Sequence, residues 1–476
     1  MMKTSTPFSG IVWTAIQGLG NRGVQFIVEL IMARVLMPED FGLIGMLSIF
    51  LAIAQTLMDS GFSNALIQRQ SKDDIDFSTV FVFNFVVSVI LYVIFYISAP
   101  LIASFYNAPE LISITRILTL SIIINSFSIV NRTKLTIRLD FKALALISLA
   151  SSLFAGAIGI ILVYSGAGVM SLVVYTLTMY IAQTLLYCLK LKWEPSFSFS
   201  KESFKTLFSF GGNLLLANLL SNIYSNIYSI AIGKKYTTTD LGYYTKAEQF
   251  TSFSISSIGV ILAKVSFPLM SSVEDKDEEL PKMYKHLLSI SSYAVFPISF
   301  YLIFYANAII DTLLTDKWLS MVVILQLLCI DWMWDPMCKI NANILLVLGK
   351  SKLILRLEVV KRILSITILF LTLPFGIKVL CYGRVAYSVI AVIINTYYTG
   401  CFFPQINILK QLRIVLPYSC CAILSYGLSS IFIVAINNSL LKMIIGFLFG
   451  SMTYIVLTQI FKIGYLENVK KELINN

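Results

Sequence analysis

Residues 33–70 read ARVLMPEDFGLIGMLSIFLAIAQTLMDSGFSNALIQRQ, and this stretch decides the fold. Apolar segments lie on both sides of a short polar turn at residues 38–42, and a polar, basic edge follows at residues 68–70. Each apolar segment has about the 20 residues that a helix needs to span a bilayer. The stretch therefore predicts two membrane-spanning helices joined by a turn at one membrane face.

The composition of the whole chain agrees with a location in a bilayer. Of its 476 residues, 57% are hydrophobic and 13% are charged, and the mean hydropathy is +0.83. Soluble domains have roughly half apolar and a quarter charged residues, so this chain is not an ordinary soluble domain. The net charge of +11 comes from basic residues in short loops between apolar segments, which indicates membrane orientation rather than nucleic-acid binding.

We predict an all-α integral membrane protein with about fourteen transmembrane segments. They lie near residues 11–36, 42–67, 77–102, 111–130, 141–163, 169–190, 206–232, 242–270, 284–309, 319–347, 353–375, 379–402, 414–436 and 440–461. Lys and Arg concentrate in alternate connections, one of which carries Arg132, Lys134, Arg138 and Lys142. The positive-inside rule then predicts that both termini are cytoplasmic.

An internal repeat divides the chain. A shift of about 200 residues aligns ARVLMPEDFG at 33–42 with GKKYTTTDLG at 233–242. Six segments separate the copies, so both have the same orientation, and a parallel repeat with a cavity between its halves is expected. We predict an N-terminal six-helix lobe, a C-terminal six-helix lobe, and two additional helices with a cytoplasmic tail, at 1–192, 193–405 and 406–476.

Polar residues inside the first segment form one helical stripe. Its members are Gly18, Asn21, Arg22, Gln25 and Glu29. A charged residue at a helix centre costs about 2.5 to 3.5 kcal/mol, so such residues normally face a bundle interior or water. The Arg22 guanidinium suits phosphate or carboxylate, which makes Arg22 and Gln25 candidate substrate-binding residues. The alternative is an internal Arg22–Glu29 ion pair that fixes helix packing.

The seventh segment carries amides and hydroxyls at the corresponding positions. They are Asn218, Ser221, Asn222, Ser225 and Ser229, with Asn226 on the same side and Tyr224 beside it. Amides next to an aromatic ring suit sugars, so Asn218, Asn222, Asn226 and Tyr224 are candidate substrate-binding residues. The alternative is that these side chains form ordinary hydrogen bonds between helices.

Three acidic residues, Glu29, Asp59 and Asp331, are candidates for coupling to an ion. For Asp59 the alternative is a local helix break at residues 59–61, and for Asp331 it is a structural hydrogen bond. Asp335 and Lys339 can pair at i,i+4. HExxH, GxSxG, P-loop and Cys/His ligand patterns are absent from the sequence, so it predicts neither an enzyme nor a metal site or cofactor.

The run ARVLMPEDFGLIGM, followed by DSGFSNALIQRQ, resembles the N-terminal signature of Wzx-type polysaccharide flippases. These form the polysaccharide transporter family of the multidrug/oligosaccharidyl-lipid/polysaccharide exporter superfamily. Lys317 and Trp318, with LQLLC at 325–329, look like the tenth-segment pattern of this family, and Phe267-Pro268 fits the end of its eighth segment.

The resemblance implies two six-helix lobes around a central cavity, with two further helices. It implies a flippase that moves undecaprenyl-pyrophosphate-linked oligosaccharide units across a bacterial inner membrane, by alternating access, for O-antigen, capsule or exopolysaccharide synthesis. Arg22 is the residue here that would hold the pyrophosphate. The implied partners are the lipid-linked substrate, membrane lipids, a polysaccharide polymerase and a chain-length regulator, with H⁺ or Na⁺ coupling and no nucleic acid.

Two other classes of protein fit parts of the pattern. A multidrug-type, cation-coupled small-molecule antiporter shares the architecture, but the signatures around Phe41 and Trp318 point away from it. An integral-membrane glycan polymerase or ligase usually needs a sizeable external loop, whereas the predicted outer loops are short.

Overall fold

A computed structural model describes residues 12–14, 16–59, 61–70, 72–191, 193, 196–276 and 278–461. All regular secondary structure in these residues is helical. The chain forms two compact units, Met1–Thr245 and Lys246–Asn476.

The first unit contains nine helices among its described residues, after a π-helical turn at Ile16–Gly20. They are α1 Asn21–Val35, α2 Pro38–Asp59, α3 Phe62–Gln68, α4 Asp74–Tyr106, α5 Leu111–Leu118, α6 Leu120–Ile137, α7 Phe141–Tyr164, α8 Met170–Leu191 and α9 Lys201–Lys235. Helix α10, Thr238–Thr251, begins in the first unit and ends in the second. Helix α9 packs against α2, α3 and α4.

The second unit continues with nine helices. They are α11 Ser257–Ser271, α12 Glu279–Phe304, α13 Ala306–Leu313, α14 Val322–Trp332, α15 Asp335–Val347, α16 Ser351–Thr372, α17 Ile377–Phe402, α18 Ile408–Phe432 and α19 Ser439–Ile460. A π-helical turn at Ser252–Ser256 precedes α11, and a 3₁₀ turn at Asp316–Met321 precedes α14. Helix α14 packs against α12 and α17.

Eleven helical segments of the described residues are long and apolar enough to cross a membrane, so the chain is a multi-pass membrane protein. The predicted spans near 11–36, 206–232 and 353–375 also contain helices, namely α1, α9 and α16, but these are not among the eleven. Polar and charged side chains lower the hydropathy of these three helices. The count of fourteen and the three lobe boundaries therefore stay predictions, and residues 462–476 of the predicted cytoplasmic tail lie outside the described residues.

The structure contains the helix break that was the alternative interpretation of residues 59–61. Helix α2 ends at Asp59 and α3 begins at Phe62. Between them, Gly61 has a φ of 74°, and a Cβ at this position would lie 2.7 Å from the Gly211 carbonyl oxygen of α9. Glycine is therefore required both for the left-handed backbone and for the close approach. Ser60 lies outside the described residues.

The two copies of the repeat have the same local structure. Helices α1 and α9 end at Val35 and Lys235, and α2 and α10 begin at Pro38 and Thr238, at an offset of 200 residues. In both turns an aspartate side chain accepts a hydrogen bond from a backbone N–H three residues earlier. The bonds are Met37 N to Asp40 Oδ2 at 2.9 Å and Thr237 N to Asp240 Oδ2 at 3.3 Å.

Two equivalent glycines bring these helix starts into contact within the first unit. A Cβ at Gly42 would overlap the Thr238 carbonyl oxygen, and a Cβ at Gly242 would overlap the Pro38 carbonyl oxygen. The contact is reciprocal at the 200-residue offset, as expected when two equivalent segments meet about a local two-fold axis. The two copies of the sequence repeat therefore also pack against each other.

We predict that Gly42→Ala and Gly242→Ala each destabilise the protein, because the new methyl group must displace a backbone carbonyl. Overpacking of this kind costs about 1–3 kcal/mol. Thermal unfolding in detergent should show a lower midpoint for both variants. Gly18→Ala is the matched control, since nothing lies within 4 Å of a Cβ there; equal midpoints for all three variants would contradict the close contact.

Candidate functional site

The first unit contains a polar cavity of about 330 Å³ that is lined by helices α2, α6 and α9. Its polar lining consists of Gln55, Thr56, Asp59, Asn125, Arg132, Asn218, Ser221 and Asn222. Pockets that hold small molecules typically have volumes of about 300–1,000 Å³. The cavity therefore has room for part of a ligand, with one cation and several amides to bind it.

Arg132 supplies the positive charge of this cavity. It lies on α6 in the same helical stripe as Asn125 and Ile129, which also line the cavity. The Arg132 side chain is exposed and makes no ion pair with any described carboxylate, although Asp59 lines the same cavity. A guanidinium in this state has five N–H donors in a planar fork that suits phosphate or carboxylate.

The predicted amide ladder on α9 is divided between the cavity and helix packing. Asn218 and Asn222 both line the cavity. Asn222 Nδ2 also donates to Thr56 Oγ1 on α2 at 2.6 Å. Asn226 Nδ2 donates to the Asn222 backbone oxygen at 2.9 Å, and Asn226 Oδ1 accepts from Ser48 Oγ at 3.4 Å. Hydrogen bonding between α2 and α9 thus holds the amides of α9 at the edge of the cavity.

Asp59 has a structural partner in addition to its place in the cavity lining. Its Oδ1 accepts hydrogen bonds from Ser63 Oγ at 2.5 Å and from Ser63 N at 3.4 Å, across the break between α2 and α3. The carboxylate therefore stabilises the first turn of α3. On α2, Gln55 Nε2 donates to Tyr180 Oη at 2.7 Å.

The other candidates of the first unit are not among the residues that line this cavity. Arg22 is exposed on α1 and forms no ion pair with a described residue, so the alternative Arg22–Glu29 pair is not present. Glu29 is half-buried on the same helix, and Gln25 Nε2 donates to Met179 Sδ at 3.3 Å. Tyr224 is half-buried on α9. Roles for these four residues in binding or coupling stay predictions.

The second unit contains a group of ion-paired side chains around Asp331. Arg384 Nε and Nη2 lie 3.0 and 2.7 Å from Asp331 Oδ2. Arg384 Nη1 lies 3.1 Å from Glu248 Oε1. The side chains of Asp331, Arg384 and Glu248 are 10%, 12% and 29% exposed. One guanidinium on α17 therefore joins a carboxylate on α14 to another on α10.

The continuous tenth helix expected around Asp331 is interrupted. The chain turns at residues 333–334, so α14 ends at Trp332 and α15 begins at Asp335. The predicted i,i+4 pair is nevertheless confirmed, because Lys339 Nζ lies 2.6 Å from Asp335 Oδ2. Since a helix break separates Asp331 from this pair, Asp331 finds its partner on another helix. Among the described residues, no group of three or more His, Cys, Asp or Glu could hold a metal ion.

Arg132 and Arg384 were not recognised from the sequence as site residues. Arg132 was interpreted as one of several orientation charges in a connection, but the helix continues through it to Ile137. Arg132 lies seven residues, or two helical turns, after Asn125, and this spacing indicates that both side chains lie on one face of the helix. Arg384 lies inside a predicted apolar segment, where a charged residue needs a partner or water. The free-energy cost of an unpaired charge inside a membrane would therefore have identified Arg384 as a candidate.

A bundle of apolar helices with a polar, cation-bearing cavity defines a multi-pass membrane transporter, and comparisons with known proteins agree. A family model described as "polysaccharide biosynthesis protein" matches residues 31–323. The teichuronic acid biosynthesis protein TuaB of Bacillus subtilis (strain 168) is 26% identical over 352 residues, which are 74% of this chain and 73% of TuaB. The lipopolysaccharide biosynthesis protein WzxC of Escherichia coli (strain K12) is 23% identical over 324 residues, 68% of this chain and 66% of WzxC.

Among solved structures, the lipid II flippase MurJ in an inward closed conformation superposes with a TM-score of 0.76 at 14% identity, over 94% of this chain and 98% of MurJ. At this identity the similarity shows a shared fold. The chain belongs to the polysaccharide biosynthesis protein family and is a Wzx-type polysaccharide transporter.

We predict that Arg384→Ala destabilises the second unit, because Asp331 and Glu248 lose the cation that compensates them. Removing one partner of a buried ion pair costs about 3–5 kcal/mol. The midpoint of thermal unfolding in detergent should therefore fall clearly. In the control, Lys282→Ala, the exposed pair with Glu278 at 3.7 Å is lost, at a cost of about 0–1 kcal/mol; similar midpoints for the two variants would contradict this assignment.

Proposed function

We propose that the protein is a flippase that moves undecaprenyl-pyrophosphate-linked oligosaccharide repeat units from the cytoplasmic to the outer leaflet, for surface polysaccharide synthesis. The units would serve O-antigen, capsule or exopolysaccharide, and transport would proceed by alternating access. The membrane is then a bacterial inner membrane with both termini on the cytoplasmic side, as the distribution of basic residues predicts. A polysaccharide polymerase and a chain-length regulator would act on the translocated units.

The observation that carries this proposal is the Arg132 guanidinium in one cavity with the Asn218 and Asn222 amides. A pyrophosphate needs cationic donors, and sugar hydroxyls need amide donors and acceptors. The cavity of about 330 Å³ is small for an entire lipid-linked oligosaccharide. We therefore assign the cavity to the pyrophosphate and the sugars next to it, with the prenyl chain remaining in the lipid.

Arg22 and the remaining predicted residues extend this assignment. Arg22 is exposed within a polar helical stripe and has no ion pair to a described residue, so it is a second candidate for the phosphates. Asn226 and Tyr224 follow the cavity-lining amides along α9 and are candidates for further sugar contacts. In an alternating-access cycle a ligand drives the change only if it binds the two states with different affinity.

We predict that Arg132→Ala stalls export. In a strain that lacks its own copy of the transporter, the variant should restore at least tenfold less surface polysaccharide than the wild type. Lipid-linked repeat units should accumulate in the cytoplasmic leaflet, because the pyrophosphate loses its charge-assisted hydrogen bonds. Quantifying surface glycan and extracted lipid-linked units measures both effects, with protein levels checked by immunoblot.

Arg138→Ala is the matched control, because Arg138 is an exposed arginine just beyond the end of α6 and does not line the cavity. Arg22→Ala in the same assay decides whether the second guanidinium contributes. Normal export by Arg132→Ala would show that the cavity at Arg132 does not bind the substrate. Drug resistance conferred by the wild type, with no effect on surface glycan, would instead favour a multidrug antiporter.

A further inference from the structure

We propose that Asp59 sets the substrate selectivity of the cavity in the first unit, by accepting a hydrogen bond from the sugar next to the pyrophosphate and by excluding a sugar that carries a carboxylate there. The inference rests on the proposed function, because it requires that a lipid-linked sugar enters this cavity. It goes further by naming the class of that sugar, an uncharged or cationic one rather than a uronic acid. It concerns the first unit alone.

The lining of the cavity carries one positive and one negative side chain. Arg132 lies on α6, Asp59 is the last residue of α2, and both line the cavity. Neither forms an ion pair with a described residue, so each charge is available to a ligand. A ligand with one anionic group can bind at Arg132. A second anionic group beside the first would meet the Asp59 carboxylate, and like charges repel each other.

Hydrogen bonds fix the position of the Asp59 carboxylate. Its Oδ1 accepts from Ser63 Oγ at 2.5 Å and from Ser63 N at 3.4 Å, and the backbone turns between these residues at Gly61, whose φ is 74°. Ser63 Oγ in turn lies 3.1 Å from the hydroxyl of Thr133, the residue after Arg132 on α6. These contacts attach the carboxylate to the helix that carries the guanidinium, so hydrogen bonds set the separation of the two charges.

Two oxygen atoms of the lining remain for donors of a ligand. Asp59 Oδ2 accepts no hydrogen bond from a described residue. Asn222 Nδ2 donates to Thr56 Oγ1 at 2.6 Å, and the single proton of Thr56 goes to the Ala52 carbonyl at 2.8 Å. Thr56 must therefore accept from Asn222, which leaves Asn222 Oδ1 as an acceptor. Sugar hydroxyl and N–H groups donate to such oxygens, whereas an ionised uronic acid group has no proton to donate.

Two other roles for Asp59 predict a different result. Its hydrogen bonds to Ser63 stabilise the first turn of α3, and coupling to an ion is the role predicted from the sequence. Either role acts on the transport cycle whichever sugar is bound, so a substitution would change the rates of all substrates by one factor. A selectivity role changes the ratio of the rates of two substrates, and this ratio is the quantity to measure.

The test compares two lipid-linked sugars that differ at one carbon, undecaprenyl-pyrophosphoryl glucose and undecaprenyl-pyrophosphoryl glucuronic acid. The purified full-length protein is reconstituted in sealed liposomes that contain one of these lipids. Periodate, which does not cross the membrane and oxidises the vicinal diols of both sugars, is added outside, and mass spectrometry measures the intact lipid that remains over time. We expect the wild type to move the glucose lipid about tenfold faster than the glucuronic acid lipid.

The carboxylate is tested by two substitutions at the same position. Asp59→Asn keeps the shape of the side chain but removes its charge, so the glucuronic acid lipid should move faster and the ratio should fall to about threefold. Asp59→Glu retains the charge and should retain the preference. Glu202→Gln is the matched control, because Glu202 is an exposed acid on α9 that does not line the cavity, and its ratio should equal that of the wild type.

Asn218→Asp makes the opposite change and tests the proposal even if Asp59→Asn does not fold. Asn218 lines the cavity, is exposed, and forms no hydrogen bond with a described residue. A second carboxylate at this position should therefore increase the preference for the glucose lipid.

Equal rates for the two lipids with the wild type would overturn the proposal. It would also be overturned if Asp59→Asn slowed both lipids by the same factor, or if Asn218→Asp left the ratio unchanged. If the wild type moves neither lipid, the proposed function fails, and binding decides the selectivity instead. Thermal unfolding in detergent should then show a higher midpoint with glucose-1-phosphate than with glucuronic acid-1-phosphate, and equal midpoints would overturn the selectivity as well.

Discussion

A charged side chain among apolar helices must either be paired or face water, and this constraint explains both arginines that matter here. Arg384 meets it by pairing, with three nitrogens directed at Asp331 and Glu248. Arg132 meets it by facing a polar cavity, where it forms no ion pair with a described carboxylate. The same guanidinium chemistry thus holds helices together in the second unit and remains available for an anion in the first.

The short backbone contact between α2 and α10 depends on a different constraint, the absence of a side chain. Gly42 and Gly242 let the two helix starts approach so closely that a Cβ atom at either glycine would overlap a backbone carbonyl of the other segment. Helix α10 then continues into the second unit, where Glu248 is held by Arg384. Helix α10 therefore carries Gly242 of the repeat contact in the first unit and Glu248 of the ion-paired group in the second.

Much of the fold could be predicted from the sequence. The length of each apolar segment indicates a membrane-spanning helix, and the similarity of residues 33–42 to residues 233–242 reveals the repeat. The Asp335–Lys339 pair was predicted from its spacing of four residues, and the break after Asp59 was one of two interpretations of residues 59–61. The Arg384 contacts could not be predicted, since they join helices that are far apart in the chain. The turn that separates Asp331 from Asp335 was also missed, because an apolar run with regular spacing does not reveal a local interruption. Arg132 was missed because a basic residue near a predicted loop is normally an orientation signal.

The central claim is that this transporter moves lipid-linked oligosaccharides between leaflets by way of the cavity at Arg132. The most direct measurement is the accessibility of a fluorescent lipid-linked oligosaccharide to an added glycosidase in sealed proteoliposomes. The account predicts that wild-type protein exposes the inner-leaflet pool to the enzyme, that Arg132→Ala does not, and that Arg138→Ala behaves as the wild type. An inner pool that stays protected with the wild-type protein, as in protein-free liposomes, would contradict it.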